Sequence, residues 1–539
     1  MKARLAALTL VFFGACMPTF AADQVPSDEE LERSHAVIGK VIINNQNIFN
    51  LADPRENNWL FRLANRLHIR TRPSVIRSQL LFKPGDRYQR RLLDESERIL
   101  RSVSYLYDAA IRPVSYHDGR VDVKVSTWDV WTLNLSFNFS RSGGTNSTGL
   151  QVEELNFLGT GIALHVHRTS DVDRVSNLYQ VQDLHVLGSW TAVTATYENN
   201  SDGNLHELTV NHPFYALDDR RAWGVEALNW TRVDSLYDLG NIVDRFHEDF
   251  TTVAGNYGWS QGLRNGWVQR WSVGATLDQH EFSATPLWDG VTTLPHDRKL
   301  IYPWLDFSLL VDDFLKLKNR NQIERTEDFY IGTLLQARIG WTDRAWGADR
   351  NALIFSSAGA RGFAFEGGSM LLLAENVSGR LEQGTLRNGL LTGSVKYYFV
   401  ESPRALLYGA VQGAQGHNLD LDQQVLLGGD TGLRGYPLRY QAGTGSALAT
   451  LEQRYFTDWY PFRLWRVGGA VFFDAGRTWG NAPLSAPSAG LLKDFGLGLR
   501  FGNARSGLGN VTHVDLATPL NRTTGVKGLQ FIVQTQQGF

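Results

Sequence analysis

Trp131-Thr132-Leu133-Asn134-Leu135-Ser136-Phe137-Asn138-Phe139-Ser140-Arg141 sets an apolar side chain at each odd position from 131 to 139 and a polar one at each even position between. Successive side chains of an extended chain point to opposite faces, so this segment reads as a strand with one oily face and one wet face. Over a single strand a half-solvated sheet looks the same, and repetition is what separates the two. Ile162, Leu164 and Val166 alternate with Ala163, His165 and His167, and similar segments recur near 178–187, 191–198, 205–211 and on to the end. Allowing about 25 residues for each strand with its connection, residues 129–539 hold about sixteen antiparallel strands, an even number as bacterial barrels require.

Composition fits that reading. The 539 residues include Gly 52, Trp 16, Tyr 18 and Phe 28, and the mean hydropathy is −0.25. Many short strands with aromatic girdles suit these residues better than membrane-spanning helices do. Lys2 and Arg4, an apolar run from Leu5 to about Met17, and Thr19-Phe20-Ala21 form a secretory signal peptide over 1–21, too short to span a bilayer as a helix. The only cysteine, Cys16, lies inside it, in a weak match to a lipoprotein cleavage site with Phe13 where Leu is usual. The mature chain therefore has no disulfide. Losing Lys2 and Arg4 takes the formal charge from −2 to −4, which argues against a nucleic-acid partner.

Near the C-terminus, Leu426-Leu427-Gly428-Gly429-Asp430-Thr431-Gly432-Leu433-Arg434-Gly435-Tyr436-Pro437 is too polar and Gly-rich for a strand interior, yet strand-like segments flank it. It reads as a loop. Glu452 and Asp474 follow in strand-like segments, and a guanidinium holds a carboxylate through two hydrogen bonds better than a lysine does. The Leu433-Arg434-Gly435-Tyr436 loop, the Glu452 strand and the Phe472-Phe473-Asp474-Ala475-Gly476 strand resemble the signature of the BamA-type superfamily of bacterial outer-membrane assembly and translocation barrels, also called the bacterial surface antigen family. Asn156-Phe157-Leu158-Gly159-Thr160-Gly161 and Asn211-His212-Pro213-Phe214-Tyr215 are similar to further family patterns.

The resemblance implies that the loop folds into the barrel lumen, that Arg434 docks on Asp474 with Glu452 nearby, and that Phe473 and Gly476 belong to the matching strand motif. It also implies a C-terminal insertion signal in Phe531, Val533 and Phe539, although Thr535 and Gln537 interrupt its oily face. After a short segment at 22–35, opened by the capping residues Ser27-Asp28-Glu29-Glu30, residues 36–128 read as β-α-α-β-β. The strand spans Val37 to Ile43, the helices Pro73 to Leu81 and Arg91 to Val103, and the hairpin Tyr105 to Tyr116 with Arg120 to Val125. With Phe82-Lys83-Pro84-Gly85-Asp86 between the helices, this resembles one POTRA domain, the periplasmic module of that superfamily, with residues 50–70 as an insertion.

The expected fold is thus an all-β transmembrane barrel preceded by one small α/β domain. The implied function is insertion of outer-membrane proteins or translocation of polypeptides, with clients added to an exposed strand edge of the POTRA domain, lipid around the barrel, and accessory subunits as further partners. A single POTRA copy matches neither the five of BamA-like factors nor the two of two-partner secretion transporters. The alternative from another class is a channel or structural component with the loop as a permanent plug.

No enzyme, cofactor or metal is expected. Gly258-Trp259-Ser260-Gln261-Gly262 matches the nucleophile pattern of hydrolases, but it sits among turn signals where a strand running into a helix is required. His165 and His167 lie two apart on one strand face, read as lumen-facing polar residues because no third ligand is evident nearby.

Overall fold

The computed structural model describes residues 25–536 except 291, 483, 485–487, 508 and 522–524. The leader expected at 1–21, Cys16 within it, and Phe539 lie outside the described residues. Helix α1 (Asp28–Arg33) begins at Ser27, whose hydroxyl accepts from the Glu30 N–H at 3.3 Å while the Glu30 carboxylate accepts from the Ser27 N–H at 3.0 Å. This is a closed capping box.

A three-stranded sheet follows, made of β1 (Val37–Gln46), β2 (Leu106–His117) and β3 (Arg120–Asp129) in the order β1-β3-β2, with β1 parallel to β3. Between β1 and β2 run α2 (Trp59–Leu67), α3 (Pro73–Ser78) and α4 (Arg90–Ser102). Leu93 and Leu100 of α4 pack with Ile38, Ile111, Val121, Val123 and Val125 into one core. Helix α2 falls inside the stretch that the residue pattern marks only as an insertion. Asn58 caps it, accepting from the Phe61 N–H at 2.9 Å, and the Phe61 ring stacks on Phe49 with centroids 3.9 Å apart.

Twenty antiparallel strands then close into a barrel, from Leu133–Ser142 to Gln530–Gln536. The expected count of about sixteen is wrong because the expected connections are too long. Several links are two residues, among them Gly143-Gly144, Ser201-Asp202, Leu239-Gly240, Asn265-Gly266, Gln383-Gly384 and Pro403-Arg404. Four of the six put both central residues or a terminal glycine at positive φ, the geometry that matches the right-handed twist of the paired strands. Chain saved in the links makes four more strands. The first strand also starts at Leu133 instead of Trp131, because Trp131 packs beside Ile48, Phe49 and Phe61 of the N-terminal unit.

Inside and outside are inverted relative to a water-soluble sheet. Leu133, Leu135, Phe137, Phe139, Leu451, Tyr455, Val471, Phe473, Leu497 and Leu499 are exposed on the outer wall, while Glu452, Arg454, Asp474, Asp494, Arg500 and Asp515 are buried inside. The period-two alternation therefore turns its oily face outward. Among the described residues no helix is long and apolar enough to cross a membrane.

The N-terminal unit is held against one end of the barrel by α4. Arg101 grips Asp328 through two hydrogen bonds of 2.7 Å, Glu97 accepts from the Lys316 ammonium at 2.6 Å, and Glu95 accepts from the Leu217 N–H at 2.7 Å. Asp328 and Lys316 belong to a small hairpin, Phe314–Lys318 with Thr326–Tyr330, that stands between two barrel strands. The first strand leaves this near end, so residues 418–444 connect two strands at the far end.

Candidate functional site

The connection between the strands Ala405–His417 and Gly445–Phe456 is the long one that turns back into the barrel. Its neck is a short ladder, Val425–Leu427 with Gln441–Gly443. Leu427, Leu433, Tyr436 and Tyr440 pack there with Leu448 and Leu492 of the wall. The loop thereby brings Arg434 to an inner wall whose polar residues its neighbours have already aligned. Thr450 stands in register with Asp474, and Glu452 with Phe472, all on the inner face.

Arg434 donates to Asp474 twice, from Nε to Oδ2 at 2.8 Å and from Nη2 to Oδ1 at 3.1 Å, and from Nη1 to Glu452 Oε2 at 2.9 Å. Its guanidinium lies 3.3 Å from the centroid of Phe472, and the Thr450 hydroxyl donates to Asp474 at 2.8 Å. Burial opposes the Arg434 charge, but Asp474 and Glu452 more than offset it and hold the guanidinium pKa above its usual value. A fork of this kind is geometrically specific, and losing one partner of a buried pair typically costs about 3–5 kcal/mol.

The pair belongs to a larger inner-wall network that residue spacing alone did not assemble. Arg454 donates to Glu452 Oε1 at 3.0 Å and stacks 3.9 Å over Tyr408. Arg500 pairs with Asp515 and lies 3.6 Å from Glu452. Asp494 stands in register with Asp474, so two carboxyls face each other on the wall. The signal was present in the shared parity of 452 with 454 and of 494 with 500, but only register brings the four strands' residues together.

Tyr436 donates its hydroxyl to the Lys493 carbonyl at 2.9 Å and accepts from the Lys493 N–H at 3.2 Å. Gly435 lies so close to Asp494 that a Cβ there would stand 2.6 Å from the Asp494 Cβ. Leu433 is buried in the loop's own apolar cluster. Phe473 and Gly476 go to opposite faces: Phe473 is exposed outside, and Gly476 leaves room inside for Leu427 and Leu448.

The loop also reaches the barrel seam. Ser142, the last residue of the first strand, donates its hydroxyl to the Gly429 carbonyl at 2.8 Å. On the other side the Tyr436 hydroxyl lies 3.2 Å from the Asn521 carbonyl, just past the penultimate strand Val511–Pro519. Among the described residues the first and last strands share a single backbone-paired couple, Val533 with Arg141. By contrast, the strands Arg221–Asp238 and Asn241–Arg264 pair along nearly their whole length. Phe531 is exposed on the outer wall, whereas Ile532 beside it packs inward on Phe472 and Ala517.

Ser260 lies within the strand Asn241–Arg264, where its hydroxyl donates to the Gln269 carbonyl at 2.8 Å. The helix start that a hydrolase serine requires is absent there. His165 and His167 face inward as read, and Glu153 of the neighbouring strand joins them, a partner that sequence spacing hid because it lies across the sheet.

No protein-family model and no curated protein matches the chain. Among solved structures, CdiB from Escherichia coli superposes with a TM-score of 0.47 at 11% identity, over 93% of this chain and 76% of that one. CdiB from Acinetobacter baumannii gives 0.44 at 13% identity, over 93% and 73%. BamA from Haemophilus ducreyi lacking POTRA domains 1–3 gives 0.39 at 13%, over 92% and 85%. These likenesses are loose.

Proposed function

We propose that the chain is an outer-membrane β-barrel of the BamA type that assists insertion or translocation of polypeptides, without covalent chemistry. The observation that carries this reading is the seam: among the described residues a single paired couple joins the first and last strands, and a loop locked by a buried ion network braces that seam from within. Strands joined by few hydrogen bonds separate at low cost, and an opened edge is a template on which another chain can pair.

The outward apolar wall supports contact with lipid, since strands span a bilayer only when their backbone groups are satisfied and their outer side chains are oily. Helix α2 fits the same reading. Trp59, Leu60, Leu63 and Leu67 are exposed on one side of it, with Arg62 and Arg66 beside them, the arrangement of a helix lying in a membrane surface. Leu158, Leu187 and Phe462 are exposed tips of turns at the same end, each held at positive φ. With that end in the periplasm, residues 36–128 serve as a single POTRA domain.

The client edge in this reading is β1. Glu97 and Arg101 of α4 occupy backbone groups along β2, accepting from the Ile111 N–H and donating to the Ala109 carbonyl. Among the described residues the backbone bonds on the outer side of β1 stop at Ile38, which bonds with Gly85 and Asp86, and a cavity of about 660 Å³ lined by Val41, Phe82, Trp190 and Tyr215 lies beside the strand.

A reversible tether tests the proposal. The double variant Arg141→Cys with Val533→Cys, in a mature chain expected to have no other thiol, joins the couple that pairs across the seam among the described residues. The oxidised protein is expected to stay folded yet lose insertion of a radiolabelled client barrel in proteoliposomes, and to regain it on reduction. Full insertion by the oxidised protein refutes seam opening. A parent protein that conducts ions but inserts no client moves the function to a channel with the loop as its plug.

A further inference from the structure

We propose that Glu153, His165 and His167 form a divalent-cation site on the inner barrel wall, of the class that takes zinc. The inference is independent of any role in handling polypeptides. Glu153 sits in the strand Thr145–Glu154, in register with His165 of the strand Ala163–Ser170. Val166 points outward, so His165 and His167 share the inner face. Glu153 Oε1 lies 3.0 Å from His165 Nδ1 and 2.9 Å from His167 Nε2, and the three donor atoms all lie within 4.8 Å of one another. The two rings meet edge to face, with an interplanar angle of 82°, so their nitrogens converge on the carboxylate from different directions.

A second observation points to a ligand. Glu153 is 4% exposed, and its other oxygen, Oε2, is buried with no hydrogen-bond partner. A buried carboxylate oxygen left unmet is costly, and a cation held by the carboxylate through both of its oxygens would meet it.

Two imidazoles and one carboxylate suit zinc, with a lumen water as fourth ligand, whereas magnesium and calcium favour sites made of oxygen alone. His167 keeps 25% of its side chain exposed, which gives such a water its approach. In the metal-bound form each ring is neutral and carries its proton on the nitrogen away from the metal, His165 on Nε2 and His167 on Nδ1. The ion would cross-link the second and third barrel strands, next to the seam.

The test uses full-length protein in detergent, stripped with a chelator and then titrated with zinc against a chromophoric competitor. One equivalent is expected to bind with a Kd at or below the micromolar range. Cobalt(II) in its place should give the intense visible bands of a low-coordinate site. Glu153→Gln and His167→Gln should each weaken binding about 100-fold, while His185→Gln, in a turn away from the site, leaves it unchanged. Heat-modifiable mobility reports whether each variant folds. Should a variant fail to fold, zinc protection of His165 and His167 from diethylpyrocarbonate in the parent, mapped by mass spectrometry, decides alone. Failure of the parent to bind one equivalent, equal binding by the folded variants, or absence of protection overturns the site.

Discussion

The hydroxyl of Ser142 donates to the carbonyl of Gly429 at 2.8 Å, joining the end of the first barrel strand to a loop residue 287 positions further along the chain. That contact puts the Arg434 network and the seam on one mechanical path. Arg434 anchors the loop to the wall at Asp474 and Glu452, and the loop in turn touches strands on both sides of the closure.

Charge reversal at the anchor tests the path. Arg434→Glu and Asp474→Arg each leave buried like charges, and each should destabilise the folded barrel by about 3–5 kcal/mol. The double variant restores opposite charges between 434 and 474, with Glu452 still beside them, and should recover part of the loss. Urea midpoints of the heat-modifiable form provide the measurement, and equal stability in all four proteins would show that the pair contributes nothing.

Gly143 has φ +55, and a Cβ there would run into the Leu438 backbone nitrogen and the Pro437 carbonyl carbon. Gly143→Val should therefore lift residues 428–440 from the first hairpin while the wall stays intact. Faster protease cleavage in that loop, with unchanged folded mobility, is the expected result.

Docking of the N-terminal unit should depend on pH through Glu97. Burial works against its charge, yet the Ile111 N–H, Lys316 and Arg112 outweigh burial and hold its pKa at about 2, against the ordinary 4.5. A lowered carboxylate pKa adds stability that is complete above the ordinary value and is lost as pH falls toward the lowered one. Hydrogen exchange in α4 should thus rise between about pH 4.5 and pH 2, and Glu97→Gln should flatten that rise while weakening docking at neutral pH.

Glu375 is exposed in the strand Met370–Glu382, in register with Gly359 on one side and Gly393 on the other, on the outer wall. If that wall meets lipid, Glu375→Leu should stabilise the reconstituted barrel by about 1–2 kcal/mol and do little in water-rich detergent mixtures. Equal effects in both media would argue against a lipid-facing wall at this height.

Much of the architecture was legible because it rests on local rules. Alternation from Leu133 to Phe139 sets a strand with one oily face, Ser27 and Glu30 close a cap, and the Asp118-Gly119 pair turns a hairpin. Helix α2 is hard to read because its apolar stripe of Trp59, Leu60, Leu63 and Leu67 faces outward and not into a core, in a stretch rich in Arg and Asn, while Phe61 alone packs inward on Phe49.

Residue order alone shows alternating strands, an Arg-bearing glycine loop that interrupts them, and carboxylates at 452 and 474 in the strand-like segments that follow. That twenty strands close the ring is visible only in the folded chain, since the count depends on how little chain each link consumes. Register decided the rest. Cross-strand neighbours are set by pairing across the sheet, which brings Glu153 to His165 and His167, Asp494 to Asp474, and Ser142 to Gly429, contacts that no spacing along one strand encodes.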